Sequence, residues 1–162
     1  MKVPVNIVNI LLFNISWFAI VFTGKLPEGL ANLLCLYIRY NNRAVAYAGF
    51  LREEYPPFVF DTVAPEPGNY PPVRTAFAPE LEDRNRLTVG FRIILAIPQL
   101  IVVAVLGIVA LVVWVIGFFA VLFTGRWPEG LRTFVVGYMR WFTRVEAYVG
   151  LLTDAYPPFS LK

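Results

Sequence analysis

The 162-residue chain has no histidine and one cysteine, and only 15% of its residues are charged. Without histidine there is no imidazole to act as a triad base, a metal ligand or a switch near neutral pH. Cys35 has no partner for an internal disulfide and cannot build a thiolate cluster. Set in an apolar run, it reads as a small buried hydrophobe. A Walker loop, a dinucleotide fingerprint, a GxSxG elbow and an HExxH pair are also absent. Neither a metal nor a cofactor is expected on these grounds. The 14 Lys and Arg residues against 11 Asp and Glu give a net charge of +3, dispersed along the chain. That argues against nucleic-acid binding and suits a mild attraction to anionic lipid head groups.

Hydrophobic side chains are abundant, at 58% of the chain, and the mean hydropathy is +0.64. A soluble domain carries about a quarter of its residues as charges, so this composition predicts an integral membrane protein. The start of the chain superficially resembles a signal peptide. However, Asn6, Asn9, Asn14 and Ser16 interrupt its apolar stretch and no A-x-A site follows. It reads instead as a retained membrane helix over about residues 5–22.

The chain repeats itself. Residues 18–58 align without a gap on residues 119–159, with 20 identities in 41 positions at a constant offset of 101. Both copies close with Tyr-Pro-Pro-Phe, at 55–58 and 156–159. The expected fold class is therefore an all-α membrane protein of two helix-turn-helix units. Residues 1–58 form the first, shortened unit, 59–83 a Pro-rich acidic linker outside the membrane, and 84–162 the second unit. In the second unit the apolar run from Phe91 to Thr124 would make a helix of about 50 Å, against a hydrocarbon core of about 30 Å. Pro98 and Gly107 offer a break, which would leave residues 84–97 along the interface and 99–123 crossing.

Each unit turns at Thr-Gly-(Lys/Arg)-x-Pro-Glu-Gly. Thr23 and Gly24, like Thr124 and Gly125, end the first helix, and the glycines suit a left-handed residue. Pro27 and Pro128 suit the first position of the next helix. Glu28 and Glu129 complement its dipole. Turn chemistry is the favoured account of these residues over a binding loop.

The second helices, about 28–52 and 129–153, carry the charge. At about 100° per residue from position 132, Arg140 falls near 80° and Arg144 near 120°. Arg39 and Arg43 occupy the same sector of the first copy, with Asn32 and Asn42 beside them; Thr133 and Thr143 flank it in the second. Two arrangements fit. The helices lie in the interface with arginines among head groups, or they cross with the arginines turned inward; in-plane or steeply tilted helices are favoured. Tyr37/Tyr138, Tyr40/Trp141 and Tyr47/Tyr148 are candidate interfacial anchors. Arg84, Arg86 and Arg92 suggest a cytoplasmic flank by the positive-inside tendency, which Lys25, Arg126 and Arg132 on the turn side weaken.

The run Trp114–Leu131 holds a Phe-Thr-Gly-Arg-Trp-Pro-Glu-Gly turn; Tyr138–Tyr148 and the Tyr-Pro-Pro-Phe ending follow it. Together they resemble small bacterial membrane proteins grouped in a family defined only as a domain of unknown function. Residues 84–161 match along the whole unit and residues 14–58 with a shortened leading helix. The resemblance implies a bacterial integral membrane protein of the cytoplasmic membrane, and it supplies no reaction. The copies differ at Leu26, Asn41 and Asn42, where the second has Trp127, Phe142 and Thr143.

Three functions compete. A non-catalytic scaffold or accessory subunit of a membrane complex is the leading expectation. Its motive is aromatic and small-residue surface (Gly107, Gly117, Gly137, Gly150) suited to a protein partner or a homo-oligomer. The alternative is a protein that binds or transports anionic lipid or a small anion through Arg39, Arg43, Arg140 and Arg144; a transport pathway would need an oligomer. Enzymatic activity has the least support, because Glu28, Glu129, Glu146 and Asp154 show no spacing that demands chemistry.

Overall fold

The computed structural model describes residues 5–51, 53, 55 and 79–161, residues 5–9 by their backbone only. It is all-helical among these residues: α1 (Val5–Thr23), α2 (Glu28–Ala48), α3 (Arg86–Gly90), α4 (Arg92–Thr124) and α5 (Glu129–Val149). Most of the linker, residues 59–78, and Pro56–Phe58 of the first closing motif lie outside the described residues.

The turns follow their sequence. Gly24 and Gly125 are left-handed, at φ 75° and 69°, and their N–H groups close onto Ile20 and Val121 carbonyls. Thr23 and Thr124 each donate a hydroxyl back to the carbonyl four residues earlier, at 2.6 Å. Each hydroxyl also accepts the N–H two residues on, from Lys25 and Arg126. Pro27 and Pro128 sit one residue earlier than expected. Both have extended ψ, 131° and 126°, and cap the helix rather than begin it. Their carbonyls accept the first helical N–H groups, from Ala31 and Arg132. Glu28 and Glu129 then occupy the first turn, where a negative charge meets the dipole.

α2 and α5 also end alike. Gly49 and Gly150 are the caps, and the next residue in each copy is left-handed although it is not glycine: Phe50 at φ 56° and Leu151 at φ 66°. Leu51 and Leu152 then donate five residues back, to Ala46 and Ala147, at 3.0 and 2.9 Å. That is the Schellman pattern of a helix end.

The expected break at Pro98 does not occur. α4 runs through it for 33 residues, and the interruption falls at Phe91. Asn85 caps α3 by accepting Leu87 and Thr88 N–H groups, so a new helix begins upstream. α4 is the one described helix long and apolar enough to cross a membrane, with 17% of its most apolar window buried in the protein. α1 contributes a shorter apolar helix, Ile10–Thr23.

α5 returns along α4. Trp127 lies over Gly117, Tyr138 reaches Gly107 and the Val103 carbonyl, Trp141 meets Gln99, and Tyr148 stacks on Arg92. The two helices are thus antiparallel over most of their length. Of the aromatic residues expected to anchor at the interface in this copy, Trp141 and Tyr148 are buried and Tyr138 is half-buried.

The two repeats interlock. The first core holds Ile20, Leu26, Ala31, Leu34, Cys35 and Ile38, closed by Ala147, Leu151 and Leu152 from the second repeat. The second core holds Val135 and Val136 with the partly buried Val113, Trp127 and Met139, closed by Ala46 and Leu51 from the first. Ala46 and Leu51 are the equivalents of Ala147 and Leu152. Each repeat therefore completes the other's core with the same two positions, the signature of a local twofold.

Candidate functional site

The twofold passes through a polar contact. Asn42 Nδ2 donates to Thr143 Oγ1 at 2.9 Å in a buried setting, and the Thr143 hydroxyl donates to the Met139 carbonyl at 2.8 Å. Asn42 and Thr143 are 101 residues apart, the offset of the repeat. Equivalent positions meet here because α2 and α5 cross.

This crossing gathers the four predicted arginines. Arg39 and Arg43 lie within one turn of Asn42, and Arg140 and Arg144 within one turn of Thr143. Their surroundings differ. Arg43 is 6% exposed and Arg140 is exposed. Arg144 donates to the Ser160 carbonyl at 2.7 Å and to the Arg140 carbonyl. The acids of α2 and α5 are Glu28 and Glu129 at their starts and Glu146 near the end of α5, and Arg39, Arg43 and Arg144 each take part in further interactions. A guanidinium fork matches an oxyanion by bidentate hydrogen bonding. The turn residues Thr23, Gly24, Pro27 and Glu28, with Thr124, Gly125, Pro128 and Glu129, stand at the far ends of α2 and α5 as local turn structure.

A second polar centre was not foreseen. Asp154 Oδ1 forms an ion pair with Arg84, at 2.8 Å, and accepts a hydrogen bond from Arg92. Its Oδ2 accepts the Asn85 N–H at 3.0 Å. Arg92 is 1% exposed. It also donates to the Tyr148 and Thr153 carbonyls at 2.9 and 2.7 Å, and it lies over the Tyr148 ring at 4.5 Å. Burial pushes the Arg84 guanidinium below the ordinary arginine value, and Asp154 opposes that shift. Glu80 closes the node from the linker side, accepting from Thr153 Oγ1 and the Asp154 N–H, both at 2.9 Å. Arg84, Arg86 and Arg92 therefore do not form one basic flank: Arg84 and Arg92 turn inward and share the Asp154 carboxylate. In contrast, Lys25 and Glu82 pair at 3.0 Å in the open, and that hydrogen bond raises the lysine above its usual value.

Two turns further along α4, Gln99 donates to the Pro157 carbonyl at 2.6 Å and accepts from Trp141 Nε1 at 3.2 Å. Arg92 and Gln99, the two polar interruptions of the apolar run, thus lie two turns apart on one face and bind the C-terminal segment. Tyr156 of that segment meets Tyr148 at 5.5 Å between rings, and Tyr55 meets Tyr47 at 5.4 Å in the first copy. The first residue of the closing motif makes the same ring contact in both copies. The only hint of this in the sequence was the seven-residue spacing of Arg92 and Gln99 in an apolar helix.

The small residues are also used internally. A Cβ on Gly117 would overlap the Trp127 ring, one on Gly107 would lie 2.8 Å from the Tyr138 hydroxyl, and one on Gly137 would lie 2.6 Å from the Leu161 carbonyl. These glycines admit parts of the same chain, so they are not the partner surface expected from them.

Two interlocked helical hairpins, joined through a buried polar crossing and faced with apolar helix, define the class as a duplicated all-helical protein with one helix suited to a membrane. The chain belongs to the family described as a domain of unknown function, DUF4389, which matches residues 4–59 and again 86–160. Those two matched segments coincide with the two repeats. No curated protein and no solved structure matches it.

Proposed function

We propose that the protein is integral to a bacterial cytoplasmic membrane, with both α1 and α4 crossing it, and that it works without catalysis as a scaffold or accessory subunit of a membrane complex. The carrying observation is the division of its surface. Ile10, Ile15, Phe18 and Phe22 on α1 are exposed, as are Ile101, Ile108, Leu122 and Phe123 on α4. An apolar surface on this scale marks a lipid or protein contact. The polar groups, by contrast, close the chain on itself through Asp154 with its two arginines, Gln99 with Trp141, and Asn42 with Thr143. Such a protein presents helix faces rather than reacting groups.

A second reading draws on the crossing of α2 and α5, where Arg39 and Arg43 lie within one turn of Asn42 and Arg140 and Arg144 within one turn of Thr143. In it, the protein holds an anionic lipid head group or a small anion. Intact-complex mass spectrometry after gentle extraction from native membranes tests both. The scaffold reading expects a stoichiometric protein partner or a defined homo-oligomer, and a monomer with nothing associated overturns it. The second reading expects retained anionic phospholipid that is lost when Arg39, Arg43, Arg140 and Arg144 all become Gln. Retention by a folded quadruple variant overturns it.

A further inference from the structure

The duplication supplies an internal reference for each position of the repeats, and among the places where the copies differ one groove stands out. Between α1, α2 and the end of α5 lies a groove of about 340 Å³, lined by Ile10, Phe13, Tyr37, Ile38, Glu146 and Gly150 among others. That volume is at the small end of ligand pockets, roughly 300–1,000 Å³. Its walls are apolar except for the tyrosine and the carboxylate. Glu146 Oε2 is buried and has no hydrogen-bond partner among the described residues.

Across the twofold, Glu146 is replaced by Val45 and Phe13 by Trp114. The larger indole fills the counterpart space, its nitrogen 3.4 Å from where a Cβ on Gly49 would sit. Gly49 is the equivalent of Gly150, which lines the groove. Two differences therefore act together: the smaller ring leaves room, and the acid places an unpaired carboxyl oxygen beside that room.

A buried carboxylate oxygen without a partner is costly. A purely hydrocarbon occupant would leave it unpaired, and an anion would be repelled by it. A cationic donor on an apolar body satisfies both the acid and the walls. We propose that this groove is a binding site for a primary ammonium carried on an alkyl body, with the ammonium on Glu146 and the body against Phe13 and Ile38. The ammonium can belong to a free alkylamine or to an aminophospholipid head group.

The full-length protein in phosphatidylcholine nanodiscs, labelled with a photoactivatable dodecylamine and mapped by mass spectrometry, tests this. Labelling is expected on the groove segments of α1, α2 and α5. Glu146→Gln should reduce it about tenfold, the loss expected for one charge-assisted hydrogen bond. Phe13→Trp, which introduces the ring present at the counterpart position while keeping the acid, should abolish it; this variant decides the matter if Glu146→Gln does not fold. Competition by added phosphatidylethanolamine assigns the site to the lipid head group, and lack of competition assigns it to free amines. Equal labelling by the dodecyl alcohol analogue, or labelling unchanged in both variants, overturns the proposal.

Discussion

Asn42 donates a 2.9 Å hydrogen bond to Thr143, its own counterpart in the second repeat. Two identical residues on a twofold would have to satisfy each other symmetrically. Divergence of the copies lets one donate and the other accept, and Thr143 still directs its proton to Met139. The duplicated chain thus gains a directed polar contact at its centre.

If that contact joins the halves, Asn42→Leu should cost about 1 kcal/mol, the net worth of a neutral hydrogen bond. Thr143→Val should cost a similar amount. The double variant should fall short of their sum by about 0.5–1.5 kcal/mol, measured by denaturant titration of the purified protein. Full additivity would mean that the two side chains do not interact.

Asp154→Asn should be far more damaging. It leaves Arg84 and Arg92 buried around a neutral amide, and breaking a buried pair costs about 3–5 kcal/mol. Lys25→Met, which removes the exposed Lys25–Glu82 pair, should cost under about 1 kcal/mol. Thermal unfolding of the two variants side by side checks this, and equal losses would contradict the buried node.

Glycines separate by what they face. Gly117→Ala drives a methyl into the Trp127 ring, and overpacking of this kind costs about 1–3 kcal/mol. Gly130→Ala meets nothing within 4 Å inside α5. It should stabilise by about 0.5–1 kcal/mol through helix propensity. The opposite ranking in melting temperature would rule out the α4–α5 arrangement.

The left-handed residues after α2 and α5 offer a comparison within one chain. Phe50→Gly relieves a strained backbone at a half-exposed position and should be nearly neutral. Leu151→Gly relieves similar strain but empties a fully buried site, at about 2–5 kcal/mol. Comparable losses from both would mean that the first core is not closed by the second repeat.

Much of this architecture was legible in the sequence. The constant offset of 101 revealed two units, and the left-handed glycines and first-turn acids of both turns could be read from residue type, because turn chemistry is local. The partners were not legible. A helical wheel places Asn42 and Thr143 on a polar stripe, but it cannot distinguish head groups from a second polar helix. Arg92 and Gln99 interrupt an apolar run, and their partners Asp154 and Pro157 lie about sixty residues away. The break at Phe91 instead of Pro98 depends on the Asn85 cap. Glycine spacing suggested close helix approach and gave no sign that the approaching rings belong to the same chain.

Labelling in native membranes with a lipid-partitioned photoreactive aryl azide, mapped residue by residue, tests the central claim most directly. The account predicts labels on Phe18 and Phe22 of α1 and on Ile101, Ile108, Leu122 and Phe123 of α4. Ala46, Trp141, Tyr148 and Leu151 should remain unlabelled in the interlocked interior. Labelling of those interior residues, or protection of the outward face of α4 from the lipid reagent, would contradict it.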